Sequence, residues 1–446
     1  MLSGGTDKPG LSVLSRNTAL CFSCTMASEA IMTSAEQPVQ AVRSPFGRRL
    51  TWIILLAAAL RAVVLVCAEH RPDRFDFPDS DRYIAVARNI AAGDGPIESS
   101  SVRAGTDPLY PYVLALGVKL GLQDDAALMR FGRIVNALAG LVSVLLLAQL
   151  ARRLTGDEPA LIAAAILAVD PILLFFNALV LTEAPYTALL LAGICCLIRV
   201  AEERAGVFWA AAAGGLLGLA TVTRSTSLFM PVVLLPFVWH FADRRLSRRI
   251  GASAAFLVVT AAMLIPTTTR NQRLFGHCVP IRTSGGAGLM EALGPWADGG
   301  PGMDRIRYPE FPAGAGEYGK DQICRKAALT WAREHPARVL SLAWAKLRRT
   351  WSITINAADY SSRVYTAIAW MTVAPEFALT LGGLWLLRKR RAIVALLLVP
   401  AIYFTLVHIV FVGSVRYRLP AMPFLFVAAG LALHRILHGF RRHGTA

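Results

Sequence analysis

The sequence is poor in charged residues. Only 17% of its 446 residues are Asp, Glu, Lys or Arg, whereas 55% are hydrophobic, and the mean hydropathy is +0.50. Soluble domains usually carry about 25% charged residues. The apolar residues also form repeated runs that are long enough to cross a bilayer. The composition therefore predicts an all-α, polytopic membrane protein built as a bundle of transmembrane helices.

Cysteine is scarce, and acidic residues are outnumbered by basic ones. The seven cysteines show no double CxxC spacing, so no zinc cage is indicated. Cys278 and Cys324 could form a disulfide or remain free thiols. The 46 Lys and Arg against 29 Asp and Glu give a net charge of +17. Because the basic residues stand in short clusters between apolar runs, membrane topology explains them better than binding to nucleic acid.

The apolar runs define the predicted spans. Residues 1–42 are rich in small and hydroxyl side chains, and we expect a disordered tail there. The basic stretch 43–49 precedes the first span, 50–68, and places that end in the cytoplasm. The run 109–122 has about 14 residues where a span needs roughly 20, so we expect it to lie on the outer surface. Nine further spans are predicted at 131–151, 159–177, 181–200, 207–223, 225–242, 249–266, 364–387, 392–412 and 417–437.

The basic clusters determine the predicted orientation. With about ten spans and a surface helix at 109–122, all of them fall on the cytoplasmic side. These clusters are Arg152/Arg153, Arg199/Arg204, Arg244 to Arg249, Arg388 to Arg391 and Arg441/Arg442. The loops 69–130 and 267–360 then lie outside, which in a bacterial inner membrane is the periplasmic side. We expect juxtamembrane helices in the first of these loops and an amphipathic helix at 320–351 in the second.

The polar stretch 78–111 is the predicted reaction centre. Its first half has the apolar periodicity of a surface helix, with Gly93 as a stop. Asp79 stands at the helix start, where it could cap the N-terminus or act as a general base, and both interpretations stay open. In its second half Pro108 and Pro111 are expected to prevent a regular helix from starting before Pro111.

Acids and guanidinium groups from distant parts of the chain are predicted to meet on the outer face. A guanidinium suits a phosphate because its planar fork donates two hydrogen bonds. A carboxylate could take the proton of an acceptor hydroxyl while cations stabilise a departing phosphate. Ordinary lipid-headgroup binding by Arg416, Tyr417 and Arg418 is the rival interpretation for that cluster. Glu183 begins a span and could cap it instead of serving the site.

Several motifs, taken in order, resemble the C-type membrane glycosyltransferases, in the branch of the protein O-mannosyltransferases and the aminoarabinose transferases of lipid A. They are PDSDRYIAVARNIAAG (78–93), DPLYPYVLAL (107–116), LTEAPYTALLL (181–191), GLLGLATVTRSTSLFMP (215–231), RNQRLFGHCVPIRTSGGAGL (270–289) and RYRLPAMPF (416–424). The turn at 107–111 departs from relatives that have consecutive prolines or a preceding lysine, so no lysine ligand is carried over.

The resemblance implies a transmembrane glycosyltransferase domain over residues 43–442. Its donor would be a sugar on a polyprenyl phosphate, its transfer inverting, and its acceptor a glycan, a lipid or a protein on the outer face. By position, the resemblance matches Asp79, Glu183, Arg224 and the pair Arg416 and Tyr417 to site residues of the family. From the residues themselves we predict Asp79 as the general base and the outer cations Arg224, Arg270, Arg416 and Arg418 as donor phosphate ligands. The acceptor or pocket residues would be Asp81, Tyr83, Asp107, Tyr110, Glu183 and Tyr417. No metal ligands are assigned, although a divalent ion is compatible with the acidic pair Asp79 and Asp81.

Two other classes compete with the enzyme. A transporter or lipid flippase would use Arg61 and Asp170, two charged residues within predicted spans, to line a pathway. Transporters commonly contain internal repeats, and the sequence shows none. A catalytically silent lipid-binding subunit is the third class. Loss of transfer activity on a single substitution would distinguish an enzyme from it.

Overall fold

Helices are the regular secondary structure of the residues that the structure describes, and no strand occurs among them. The computed structural model describes residues 45–201, 206–355 and 362–443, with the backbone alone for 440–443. The predicted tail at 1–42 lies outside the described residues. The sixteen α-helices of these described residues are α1 Pro45–His70, α2 Pro78–Ala92, α3 Leu109–Lys119, α4 Asp125–Thr155, α5 Asp157–Val169, α6 Pro171–Asn177, α7 Glu183–Arg199, α8 Gly206–Thr223, α9 Met230–Phe241, α10 Leu246–Phe275, α11 Gly285–Ala292, α12 Glu317–Glu334, α13 Pro336–Thr350, α14 Arg363–Leu386, α15 Arg391–Val410 and α16 Met422–His443.

In the part of the chain that the structure describes, seven helical segments are long and apolar enough to cross a bilayer. They are α1, α4, α8, α10, α14, α15 and the segment Val415–Gly439, which contains most of α16. Large apolar side chains such as Trp52, Val258 and Leu381 stay more than half exposed, as lipid-facing residues do. The predicted class, a multi-pass membrane protein with an all-helical bundle, is confirmed.

Three predicted spans are bent or shorter than expected in the structure. The span 159–177 is two helices, α5 and α6, bent by 58° where Pro171 follows Asp170. Helix α7 has 17 residues and α9 has 12, so both are shorter than the expected spans at 181–200 and 225–242. By length and composition the described residues therefore provide seven spans, or eight with the bent pair, against about ten predicted.

Asp170 lies at the bend and is buried. Its side chain is 4% exposed, and its Oδ1 accepts a hydrogen bond from the backbone N–H of Leu173 at 2.7 Å. It therefore caps the N-terminus of α6 where the chain changes direction. Capping therefore explains why an acid lies within this predicted span.

Two short helices lie in the first loop, as expected. Helix α2 starts at Pro78 and ends before Gly93, whose φ of 97° requires the left-handed conformation that glycine adopts without strain. Helix α3 starts at Leu109, so the expectation that no helix begins before Pro111 is wrong. Pro111 falls in the first turn of α3, where its missing N–H would have no partner within the helix.

The second loop is more helical than predicted. Helix α10 continues to Phe275, nine residues beyond the predicted span end at 266. The amphipathic helix expected at 320–351 is two helices, α12 and α13, separated at His335 because Pro336 cannot continue the first. A small hydrophobic cluster joins α11 and α12 to Val412 and Tyr417, so the loop packs against the chain segment before α16.

Close contact between helices depends on small residues. A side chain at Gly214 in α8 would overlap with the backbone carbonyl of Phe256 in α10. At the same place Thr260 Oγ1 donates to the carbonyl of Gly214 at 3.1 Å. Small residues at such crossings let helix backbones approach within hydrogen-bonding reach in a membrane.

We expect Gly214→Ala to destabilise the protein by about 1–3 kcal/mol, because the new methyl group forces α8 and α10 apart. Thermal unfolding of the purified protein in detergent measures the change. Gly215→Ala is the matched control, since a side chain there would only reach Val259 at 3.4 Å. Equal unfolding temperatures for the two variants would contradict the proposed close contact.

Candidate active site

Four predicted site residues come together where helices begin or end. Asp79 is the second residue of α2, and Glu183 is the first residue of α7. Arg224 directly follows α8, and Arg416 lies in the short 3-10 helix Val415–Ala421 before α16. Breaks in regular helix free these side chains to point into one space. We call Asp79, Glu183, Arg224 and Arg416 the four-residue network.

One carboxylate oxygen connects the network. Glu183 Oε1 accepts hydrogen bonds from Arg416 Nε and from Arg224 Nη1, the latter at 2.7 Å. Arg416 Nη1 also donates to Asp79 Oδ2 at 2.7 Å, across 337 positions of sequence. The hydrogen bonds therefore connect the four side chains in the order Asp79, Arg416, Glu183, Arg224. Two negative and two positive charges balance one another.

Burial makes the charges of these ion pairs depend on each other. Glu183 is 2% exposed and Arg224 7%, whereas the Asp79 side chain is 34% exposed. Removing one partner of a buried pair leaves an unpaired charge at a cost of several kcal/mol. Burial alone would raise the pKa of Asp79, but the adjacent Arg416 guanidinium outweighs it, and the pKa lies below its ordinary value. Asp79 is therefore an ionised carboxylate at the more exposed end of the network.

The capping interpretation of Asp79 is wrong. The residue at the cap position of α2 is Phe77, which makes no capping side-chain bond, and Pro78 occupies the first turn. The Asp79 carboxylate instead points to Arg416. A tertiary ion pair has overridden the local preference of an Asp near a helix start.

Aromatic side chains support the network. The ring of Tyr417 is stacked on His408 at 3.9 Å between centroids, and the Arg224 guanidinium carbon lies 5.5 Å from the same ring. Tyr83 and Tyr110 meet edge to face at 5.4 Å. Burial raises the pKa of Tyr83 to about 12 and that of Tyr110 well above its usual value. Both phenols therefore keep their protons at neutral pH and remain hydrogen-bond donors.

The two other predicted acids do not join the network. Asp81 is an exposed residue. A partial loss of hydration, together with the negative charges of Asp76 and Asp125, raises the pKa of its carboxyl group. Asp107 is 6% exposed and forms an ion pair with Arg282 at 3.7 Å. Asp81 therefore points away from Asp79, and Asp107 holds the second loop.

Arg270 and Arg418 also make contacts away from the network. Arg270 Nη2 donates to the backbone carbonyls of Pro96 and Arg103, at 3.3 and 2.8 Å. Arg418 is 1% exposed and donates through Nη1 to the carbonyls of Thr350 and Ser352. Both arginines fasten loops to the bundle in this structure.

Two residues near Asp79 were not predicted. Arg82 Nη1 lies 4.0 Å from Asp79 Oδ1, a helical i,i+3 spacing that the sequence contains. Glu291, in α11, accepts a hydrogen bond from the backbone N–H of Gly302 at 2.7 Å. Burial raises the pKa of Glu291, the bond from Gly302 opposes this, and the charge of Asp79 adds to the increase. No sequence pattern pointed to Glu291, since its proximity depends on how the outer loop folds.

The described residues contain neither a group of side chains placed to hold a metal ion nor a disulfide. Within the described ranges, no group of three or more His, Cys, Asp or Glu side chains is placed to hold a metal ion. Of the two alternatives for Cys278 and Cys324, the structure has free thiols, one exposed and one buried.

The chain is similar to known proteins both in a sequence profile and in fold. Residues 104–269 match the sequence profile of the family described as dolichyl-phosphate-mannose-protein mannosyltransferase. No curated protein matches the chain in sequence. The resemblance to C-type membrane glycosyltransferases is confirmed.

Three solved structures illustrate the similarity. The oligosaccharyltransferase AglB from Archaeoglobus fulgidus, in complex with an inhibitory peptide and a dolichol-phosphate, has a TM-score of 0.58 at 13% identity, covering 90% of this chain and 52% of that one. Its apo form gives 0.56 at 13% identity, with coverages of 89% and 52%. ArnT from Cupriavidus metallidurans, bound to undecaprenyl phosphate, gives 0.39 at 18% identity, with coverages of 86% and 78%. The chain thus spans about half the length of the archaeal enzyme, whose fold it shares.

We expect Arg416→Met to destabilise the protein by about 3 kcal/mol, because it removes a cation from Asp79 and from the buried Glu183 together. The free energy of unfolding in denaturant measures the loss. Arg82→Met is the control: its side chain is 42% exposed, and a surface pair contributes less than about 1 kcal/mol. Similar losses in both variants would refute the central position of Arg416.

Proposed function

We propose that the protein is a membrane glycosyltransferase that moves a sugar from a polyprenyl phosphate to an acceptor hydroxyl with inversion. Its membrane would be a bacterial inner membrane, with the site on the periplasmic side. The four-residue network carries the proposal, because it joins an ionised, partly exposed carboxylate to two guanidinium groups. The matched family profile and the shared fold support the same class of reaction.

Arg224 is the best candidate for the donor phosphate. To described residues it donates hydrogen bonds only through Nη1, to Glu183 and Thr182. The edge formed by Nε and Nη2 is then left for two parallel bonds to one phosphate group. Arg416 similarly uses Nε and Nη1, which leaves Nη2. Both cations are held in place before the donor arrives, so they need little reorganisation as charge develops on the leaving phosphate.

Asp79 is the proposed general base. It takes the proton of the acceptor hydroxyl while the acceptor oxygen bonds to the anomeric carbon, and the bond from that carbon to the phosphate oxygen breaks. The polyprenyl phosphate leaves with the bonding electrons. Its negative charge is stabilised by Arg224 and Arg416, which brings base and leaving-group ligands into one network.

The outer loop forms the acceptor side in this proposal. Glu291 contributes a second carboxyl group, whose pKa the charge of Asp79 raises, and Tyr83 supplies a buried phenol near the same acid. Two carboxylates favour an acceptor that donates hydrogen bonds, such as a hydroxyl group. A glycan, a lipid headgroup or a protein side chain all meet that requirement. Arg270 and Arg418 then contribute by holding loops and not as direct phosphate ligands.

The alternative of a transporter or flippase has less support. Arg61 donates to Asn177 Oδ1 and to the carbonyl of Ala57, and Asp170 caps a helix. Local hydrogen bonds of this kind explain how each charged residue is accommodated inside the bundle, and no transport pathway is needed for it. Neither residue is needed to explain why acids and arginines meet beside α2.

We expect Asp79→Asn to reduce sugar transfer about 100-fold or more, since the amide cannot accept the hydroxyl proton. The assay uses purified protein in proteoliposomes, a radiolabelled polyprenyl-phosphate sugar and an envelope extract as acceptor. Asp81→Asn, on the exposed side of the same helix, should retain activity. Unchanged turnover in Asp79→Asn would remove the proposed base, and a wild-type protein without turnover on any lipid-linked sugar would remove the proposed function.

A further inference from the structure

A small cavity with both polar and apolar walls lies inside the helix bundle, next to the buried side of the four-residue network. Its volume is about 20 Å³. The polar residues in its wall are Arg61, Ser143, Asn177, Glu183 and Thr187. One water molecule needs roughly 10–15 Å³ of such space and two to four polar partners. The cavity meets both conditions for one or two waters.

Glu183 has an oxygen that needs a donor. Both arginine bonds go to Oε1, whereas Oε2 is buried and accepts no hydrogen bond from the described residues. A buried carboxylate oxygen without a partner is strongly disfavoured, and such groups are usually satisfied by ordered water. Because Glu183 lines the cavity, water there can supply the donor.

Arg61 is the cation that shares this cavity. It is 3% exposed, in the middle of α1, and donates through Nε to Asn177 Oδ1 at 3.3 Å and through Nη1 to the carbonyl of Ala57 at 3.1 Å. Neither partner carries a charge. A side chain at Gly140 would overlap with Asn177 and crowd Arg61, so the fold keeps room for this pair. These two bonds hold the side chain in place, but they supply no ionised partner for its charge inside the bundle.

We propose that ordered water in this cavity hydrogen-bonds Glu183 Oε2 and links it to the Arg61 guanidinium, which makes Arg61 a positioning residue of the site. The water fixes the orientation of the carboxylate that in turn holds Arg224 and Arg416. Arg61 also adds a positive charge beside a network whose own four charges cancel, and this favours binding of a phosphate. The effect on the donor rests on the proposed function, whereas the water link does not.

A double-mutant cycle on thermal unfolding tests the link without any activity. Arg61→Met and Glu183→Gln are made singly and together. We expect the unfolding temperature of the double variant to fall by several degrees less than the sum of the decreases in the two single variants. Arg133→Met with Glu183→Gln is the control cycle. Arg133 is buried like Arg61, but it pairs with Glu69 and donates to the carbonyl of Phe75. The decreases in unfolding temperature in the control cycle should therefore add. Additive losses in the Arg61 cycle would overturn the link.

Two further measurements keep the proposal testable if Glu183→Gln does not fold. A cryo-electron microscopy or crystallographic map that resolves ordered water should show density within hydrogen-bonding distance of Glu183 Oε2, and a map without it overturns the proposal. Ser143→Val replaces a polar wall by methyl groups. In a cycle with Arg61→Met it should give non-additive losses, because both changes disturb the same water.

Binding of undecaprenyl phosphate tests the effect on the site. We expect Arg61→Met to weaken binding about tenfold, Arg61→Lys to retain most of it because the charge persists, and Arg133→Met to leave it unchanged. Wild-type affinity in Arg61→Met would overturn the positioning role. If the wild-type protein binds no polyprenyl phosphate, the proposed function fails, while the stability cycle and the map still decide the water link.

Discussion

Two guanidinium groups share one carboxylate oxygen in the interior of this protein, and the placement of the surrounding chain follows from that contact. Arg224 and Arg416 would repel each other in a medium of low dielectric constant if Glu183 did not stand between them. None of the three charges is tolerable there alone. The start of α7, the end of α8 and the turn before α16 must therefore meet together. Asp79 then attaches α2 to the same point.

The spans were predictable because hydropathy depends only on local composition, and the predictions failed where helices are broken. The long apolar helices α1, α4 and α15 appear where the sequence placed them. The bend at Asp170 and the short helices α7 and α9 do not, since a window of hydropathy averages over a break. Most of these irregular places border the network. Local rules are expected to fail at sites that need side chains freed from regular helix.

The sequence predicted that acids and arginines from distant parts of the chain meet, but not which of them contact one another. Asp79 and Arg416 are 337 positions apart, and the predicted topology and the family motif order both suggested that they meet. Arg270 and Arg418 looked equivalent to Arg416 in sequence, but backbone carbonyls of loops take their donors instead. Glu291 was missed because its position depends on the packing of the outer loop, which no periodicity encodes.

Tyr417 connects the two sides of the proposed reaction. One side of its environment is the hydrophobic cluster of the outer loop, which includes Met290 and Leu293, and the Arg224 guanidinium lies near its ring. His408 fixes the ring plane by stacking, so the tyrosine cannot move independently of α15. A displacement of the outer loop by an arriving acceptor would therefore press on the residue that supports the phosphate ligand. Packed interiors transmit such shifts because they contain little free volume. In the proposed reaction the acceptor and donor sides would in this sense be parts of one packed unit.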